Sequence, residues 1–191
     1  MISLITAKSA GFCAGVSRSV SIAEQALAQH GSVYCLGALV HNRDEVRRLE
    51  ALGMVTVERP GDVPAGATVL LRAHGEGREV YEALHARGAQ IVDTTCGKVE
   101  RIQEIARNAE KMGKTLIVFG DPEHPEVLGT CGWCRDYRVV QDACELDRLL
   151  SAPEKLAANG AYLVFQSTQT KKKFKKNRKY RKKKMYKLRN L

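Results

Sequence analysis

The sequence predicts an α/β fold of three-layer domains with mainly parallel sheets, and three observations predict it. Short apolar runs alternate with longer amphipathic stretches through the first 170 of 191 residues. These units follow one another as strand, helix, strand, and a helical crossover between neighbouring strands makes them parallel. The chain is also 44% hydrophobic, which suffices to bury a sizeable core.

The elements are expected as follows. Apolar runs bounded by glycine or charge place strands at 2–6, 32–36, 54–57, 68–71, 90–92, 115–119 and 161–165. Apolar residues at helical spacing place helices at 16–29, 44–52, 78–86 and 99–111, and Gly31, Gly53, Gly88 and Gly113 follow these as stops. A soft boundary near Cys96 divides the chain into an N-terminal strand and turn at 1–13, a first α/β domain at 14–96 and a second at 97–170. A basic tail, expected to be unstructured, occupies 171–191.

Charge separates the tail from the rest. The formal charge is +10, but 171–191 holds 13 basic residues and no acidic one, which leaves 18 basic against 21 acidic in the body. A polyanion partner is therefore argued only by the tail. Residues 1–7 are too short for a secretory apolar region, and no apolar run reaches membrane-spanning length. The expected location is the cytoplasm, where six cysteines are reduced, metal-bound or incidental rather than paired.

In open α/β sheets, function collects where strands end and helices begin, and the polar motifs of this chain fall there repeatedly. Gly11-Phe12-Cys13-Ala14-Gly15-Val16 puts Cys13 near a helix N-terminus, whose dipole favours a thiolate, and Asp93-Thr94-Thr95-Cys96 repeats the arrangement. One such cysteine alone could be a packing residue. Two in matching turns are the pattern of a cluster, which needs thiolates converging from separated turns. His41, His74 and His124 occupy three further strand ends, where imidazoles can donate hydrogen bonds to an anion, and Glu126 can relay a proton. His30 and His85 lie in or at the ends of helices and carry no assigned role.

These motifs resemble 4-hydroxy-3-methylbut-2-enyl diphosphate reductase, the last enzyme of the non-mevalonate isoprenoid pathway. The matching blocks are 11–20, 39–42, 72–75, 93–96 and 124–129, in family order, within a resemblance covering about residues 1–170. It implies a trefoil of three α/β domains, two of them present here, around a 4Fe–4S cluster held by three cysteines with one iron open to the substrate hydroxyl. Two ligands map to Cys13 and Cys96. His41, His74 and His124 would grip the diphosphate, Glu126 would deliver the proton, and Ser167 in Gln166-Ser167-Thr168 would place a hydroxyl near the substrate. The implied products are isopentenyl and dimethylallyl diphosphate, and the implied electron donor is a ferredoxin or flavodoxin.

The sequence departs from the family in two places. Gly97 stands where proline is common after the second cysteine. After Gln166, where a third domain with the third cysteine ligand is expected, the chain turns basic. Two expectations follow for the molecule as given: a frameshifted tail, and a truncated, inactive relative. An alternative function is nucleic-acid binding through the tail, with Phe174, Tyr180 and Tyr186 stacking on bases, although such runs are more often merely solvated. Cys131-x-x-Cys134 has dithiol spacing but reads as incidental or locally structural, and Cys35, in an expected strand, and Cys144, in a further expected helix, read as small core residues.

Overall fold

The computed structural model describes residues 11–168. The strand expected at 2–6 and the basic segment 171–191 lie outside the described residues. Seven strands and six α-helices are described: α1 (Ala14–His30), β1 (Val33–Leu36), α2 (Arg43–Ala51), β2 (Met54–Val57), β3 (Thr68–Leu71), α3 (Arg78–Ala86), β4 (Gln90–Asp93), α4 (Gly97–Lys111), β5 (Thr115–Phe119), α5 (Pro125–Cys131), β6 (Tyr137–Val140), α6 (Ala143–Leu150) and β7 (Ala161–Phe165).

They form two sheets, in strand orders β2-β1-β3-β4 and β6-β5-β7, and all pairings are parallel. Alternation along the central strands feeds a core on either face. Cys35 and Leu70 point to the face covered by Leu27 of α1 and Leu49 of α2, whereas Leu36, Val69 and Leu71 point to Leu84 of α3. In the second sheet, Leu116 and Val118 meet Ala106 and Ala109 of α4, and Ile117 and Phe119 meet Leu146 of α6. Each sheet thus lies between helical layers, the arrangement expected for parallel strands buried on both faces. The four expected glycine stops all take up positive φ.

Both strand orders contain a switch point. The chain leaves β1 for β2 on one side and returns to β3 on the other; it leaves β5 for β6 and returns to β7. Loops diverge at these points and leave a crevice beyond the strand C-termini.

Two elements were not predicted. Strand β6 has exposed Tyr137 and Arg138 at a sheet edge, so its hydrophobic pattern is too weak to register. Helix α5 has seven residues, five of them buried, so it shows no polar face at all. One expectation is corrected: Cys144 is exposed near the start of α6, because that helix turns Leu146 to the core instead. Cys35, Cys131 and Cys134 are buried.

Candidate functional site

The two cysteine turns are built alike. Cys13 is the N-cap of α1 and Cys96 the N-cap of α4, and neither side chain caps its own helix, which leaves both thiols available. Cys13 is exposed and Cys96 half-buried. Their sulfurs converge beside Gly15, where an added Cβ would lie 2.6 Å from the Cys96 Sγ and 3.9 Å from the Cys13 Sγ. A side chain there would collide with the sulfur, so glycine keeps the approach open.

This convergence is clasped by residues to which the motif reading gave no role. The Ser19 hydroxyl, fully buried, donates to the Thr94 carbonyl at 2.7 Å, and Arg18 Nη1 donates to the Thr95 carbonyl at 3.1 Å. Asp93 Oδ1 accepts the Thr95 N–H at 2.8 Å and Asp93 Oδ2 the Tyr81 hydroxyl at 2.6 Å, which shapes the turn into Cys96. Burial and this bond both push the Tyr81 phenol upward in pKa. The Cys96 N–H donates to the Ala73 carbonyl at 3.0 Å, tying the cysteine turn to the loop that carries His74.

The histidines come from both switch points. His41 follows β1 and His74 follows β3; His124 follows β5. Their rings form one cluster, with centroids 4.4 Å apart for His41 and His74, 5.5 Å for His74 and His124 and 6.2 Å for His41 and His124. One nitrogen from each lies within 4.8 Å of the others, so the trio could hold a metal ion or meet an anion.

Tautomers favour the anion. The Glu126 N–H donates to His124 Nδ1 at 3.1 Å, an N-cap bond at the start of α5, so the neutral ring carries its proton on Nε2 and is a donor there. A metal needs a lone pair at that position. Burial, then the neighbouring His41, His124 and Arg72, bring the His74 pKa down to about 4, so this ring is neutral at pH 7. Its Nδ1 is buried with no hydrogen-bond partner among the described residues. An orphaned acceptor is tolerated better than an orphaned N–H, so the His74 proton also belongs on Nε2.

Glu126 is 1% exposed, the most enclosed carboxylate of the site. It accepts hydrogen bonds from the Ser167 backbone N–H and, at 2.9 Å, from the Ser167 hydroxyl, with Thr168 Oγ1 at 3.4 Å. Ser167 follows β7, so the second switch point brings Glu126 and Ser167 together. Gln166 supports this loop, its Oε1 accepting the Asp121 N–H at 2.9 Å and its Nε2 donating to Thr168 Oγ1 at 2.8 Å.

A glycine seam sets the second sheet's loops against the first sheet's. A Cβ on Gly129 would lie 2.6 Å from the Gly75 carbonyl oxygen, and one on Gly132 2.7 Å from the Gly77 Cα. The Trp133 indole N–H donates to the Glu76 carbonyl at 2.9 Å across the same seam. Glu76 itself is buried, and its carboxylate accepts from Arg72 Nε at 2.7 Å. Gly75 and Gly129 fall within the matching blocks, but nothing in the sequence indicated that they meet, because close backbone approach leaves no local periodicity.

Similarity to known proteins matches this layout. The LytB protein profile covers residues 4–191. The chain belongs to the LytB protein family. A 4-hydroxy-3-methylbut-2-enyl diphosphate reductase of Chlorobaculum tepidum is 43% identical over 150 residues, which is 78% of this chain and 44% of that protein. The Aquifex aeolicus reductase of the same name is 36% identical over 179 residues, covering 92% of this chain and 60% of the relative. Among solved structures, (E)-4-hydroxy-3-methyl-but-2-enyl diphosphate reductase, the terminal enzyme of the non-mevalonate pathway, aligns with TM-score 0.75 at 34% identity over 92% of this chain and 62% of that one. The E-1-hydroxy-2-methyl-but-2-enyl-4-diphosphate reductase of Plasmodium falciparum aligns with TM-score 0.83 at 25% identity, over 94% and 56% of the two chains. This LytB chain spans about half the length of the curated relatives it matches. The family match does not stop near residue 170, where the motifs end, but continues through the basic segment. These similarities lend no support to the nucleic-acid-binding alternative.

Proposed function

We propose that this protein works in the reductive dehydroxylation of (E)-4-hydroxy-3-methylbut-2-enyl diphosphate to isopentenyl and dimethylallyl diphosphate. Two electrons and two protons are taken up and the hydroxyl leaves as water. The observation that carries this reading is the donor face made by His41, His74 and His124, joined through the His74 loop to the Cys96 turn. In this reading 14–96 and 97–170 are two domains, each built on one sheet, and the place of action is the cytoplasm.

The residues present fit two corners of a 4Fe–4S cluster. Cys13 and Cys96 converge on one point beside a glycine that leaves room for a bulky group, whereas Cys35, Cys131 and Cys134 are buried away from it. Such a cluster, when bound, supplies electrons and an open iron for the substrate oxygen. The remaining chemistry belongs to the chain. The three imidazoles bind and orient the diphosphate, His74 and His124 with their Nε2 protons. Glu126 delivers the proton to the leaving hydroxyl, and the Ser167 hydroxyl, which hydrogen-bonds Glu126 Oε2, can relay it by taking a proton from Glu126 as it passes its own to that oxygen. The electrons come from a ferredoxin or flavodoxin.

Anaerobic cluster reconstitution followed by turnover with dithionite tests this. The expected result is both isomeric products, with Glu126→Gln lowering the rate by about two orders of magnitude while inorganic pyrophosphate binding persists. A protein that carries the cluster yet leaves the substrate untouched overturns the reading. For the apoprotein, His124→Phe is expected to weaken pyrophosphate binding at least about tenfold, the loss of one charge-assisted hydrogen bond.

A further inference from the structure

Helix α4 carries a polar residue in its buried stripe. Val99, Gln103, Ala106 and Ala109 form that stripe, and Gln103 is 2% exposed. A glutamine at a core position of an amphipathic helix is unfavourable unless its amide finds a partner. Among the described residues, two buried side-chain atoms lack a hydrogen bond: Gln103 Nε2 and His74 Nδ1. The first is a donor, and the second, with the ring proton on Nε2, is an acceptor. Left alone, each carries its own desolvation penalty, and a bond between them removes both.

Backbone geometry brings the amide to the His74 loop. Gly75 has positive φ, and a Cβ on it would collide with Gln103 Nε2 and lie 3.1 Å from Gln103 Cδ. The amide nitrogen is thus seated against the backbone of the residue that follows His74. The bond from the Cys96 N–H to the Ala73 carbonyl fixes the residue that precedes His74 to the start of the same helix. His74 is therefore held between two points of α4, the Cys96 cap and the Gln103 amide. His124 offers the parallel case, since the Glu126 N–H donates to its Nδ1 and keeps the ring proton on Nε2. A neutral imidazole with nothing at Nδ1 is free to exchange between tautomers, whereas a donor there excludes the Nδ1–H form.

We propose that Gln103 is a positioning residue for His74: its amide N–H donates to His74 Nδ1, directly after a small rotation or through one buried water, and so holds the ring proton on Nε2 for the diphosphate. The inference rests on the diphosphate-binding role of His74 proposed above. In this arrangement two of the three rings are fixed as donors by N–H groups, one from the backbone of α5 and one from the core of α4.

The test uses the whole 191-residue chain without metal, with isotope-labelled histidines whose ring-nitrogen shifts report the tautomer by NMR. Comparison with His74→Gln identifies the His74 signals, and the wild type should show the Nε2–H form. Gln103→Met keeps the length of the side chain but not its amide. It should leave both His74 tautomers populated, lower the urea midpoint and weaken binding of inorganic pyrophosphate by about threefold to tenfold, the loss of one hydrogen bond. Gln103→Glu offers Nδ1 an acceptor instead, so the proton should move to Nδ1 and pyrophosphate binding should fall at least about tenfold. An Nδ1–H tautomer in the wild type, or His74 signals identical in the wild type and both variants, would overturn the proposal. So would a Gln103→Met protein with a raised urea midpoint, since that substitution would then have removed an orphaned amide rather than a bonded one. A wild type that binds no pyrophosphate, while the variants shift the tautomer as described, would count against the diphosphate role of His74 and leave the Gln103 bond standing.

Discussion

The replacement Gly129→Ala isolates what holds the two halves of the site together. Gly129 lies inside α5, where alanine is ordinarily worth about 0.8–1 kcal/mol more than glycine, so without tertiary constraint the variant would be stabilised. The added Cβ, however, would sit 2.6 Å from the Gly75 carbonyl oxygen, 3.2 Å from its carbonyl carbon and 3.4 Å from the Glu76 Cα. All three are backbone atoms, and no side chain can swing away. Ordinary contact at about 3.5 Å requires the helix to retreat by roughly 1 Å. Overpacking of this kind costs about 1–3 kcal/mol, and an immovable backbone puts it at the upper end, leaving a net loss of roughly 1–2 kcal/mol. The same retreat carries His124, the N-cap of α5, away from His74, so pyrophosphate affinity should also fall. Urea denaturation and calorimetric pyrophosphate titration measure the two effects, with Gly61→Ala, which meets nothing within 4 Å, as the control. A Gly129→Ala protein that is more stable than wild type and binds pyrophosphate equally well would refute the role of the seam.

Two further outcomes are expected. Because burial depresses the His74 pKa to about 4, the unfolded chain binds this proton more readily, so its contribution to stability is complete above the ordinary histidine value near 6.5 and is lost as pH falls toward 4. Discounted for water at the open side of the cluster, the loss is about 1–2 kcal/mol; urea denaturation at pH 7.5 and 5.0 should show a shallower pH dependence in His74→Gln, and identical dependence would remove the argument. For the thiols, iodoacetamide labelling of the folded apoprotein with peptide mapping should modify Cys13 and Cys144 first, since both are exposed. Cys35 and Cys131, which burial pushes up to about 12, and Cys134, also pushed up by burial, should react only on unfolding, and early labelling of Cys131 would contradict the packing described here.

The parallel α/β class was legible because burial on both faces of a sheet writes short, continuous apolar runs into the sequence, and the central strands β3 and β5 are wholly buried. The residues with distinctive chemistry were legible for a related reason: glycines and polar residues at the ends of such runs have no packing role to explain them. Cys13, Cys96 and the three histidines stood out on that ground, and Glu126 and Ser167 through the family motifs that contain them. What sequence could not reveal was which loops would meet. The switch points between β1 and β3 and between β5 and β7 depend on strand order, a non-local property that no stretch of chain encodes by itself. The tautomers of His74 and His124 follow from burial and from one backbone N–H, and so required coordinates. The glycine seam and the Ser19 clasp likewise join residues 54 to 77 positions apart, where periodicity carries no signal. Sequence by itself determined the layers of this protein and the reactive residues at their edges; tertiary structure decided that those edges face one another, because only strand order and backbone contact bring them within hydrogen-bonding reach.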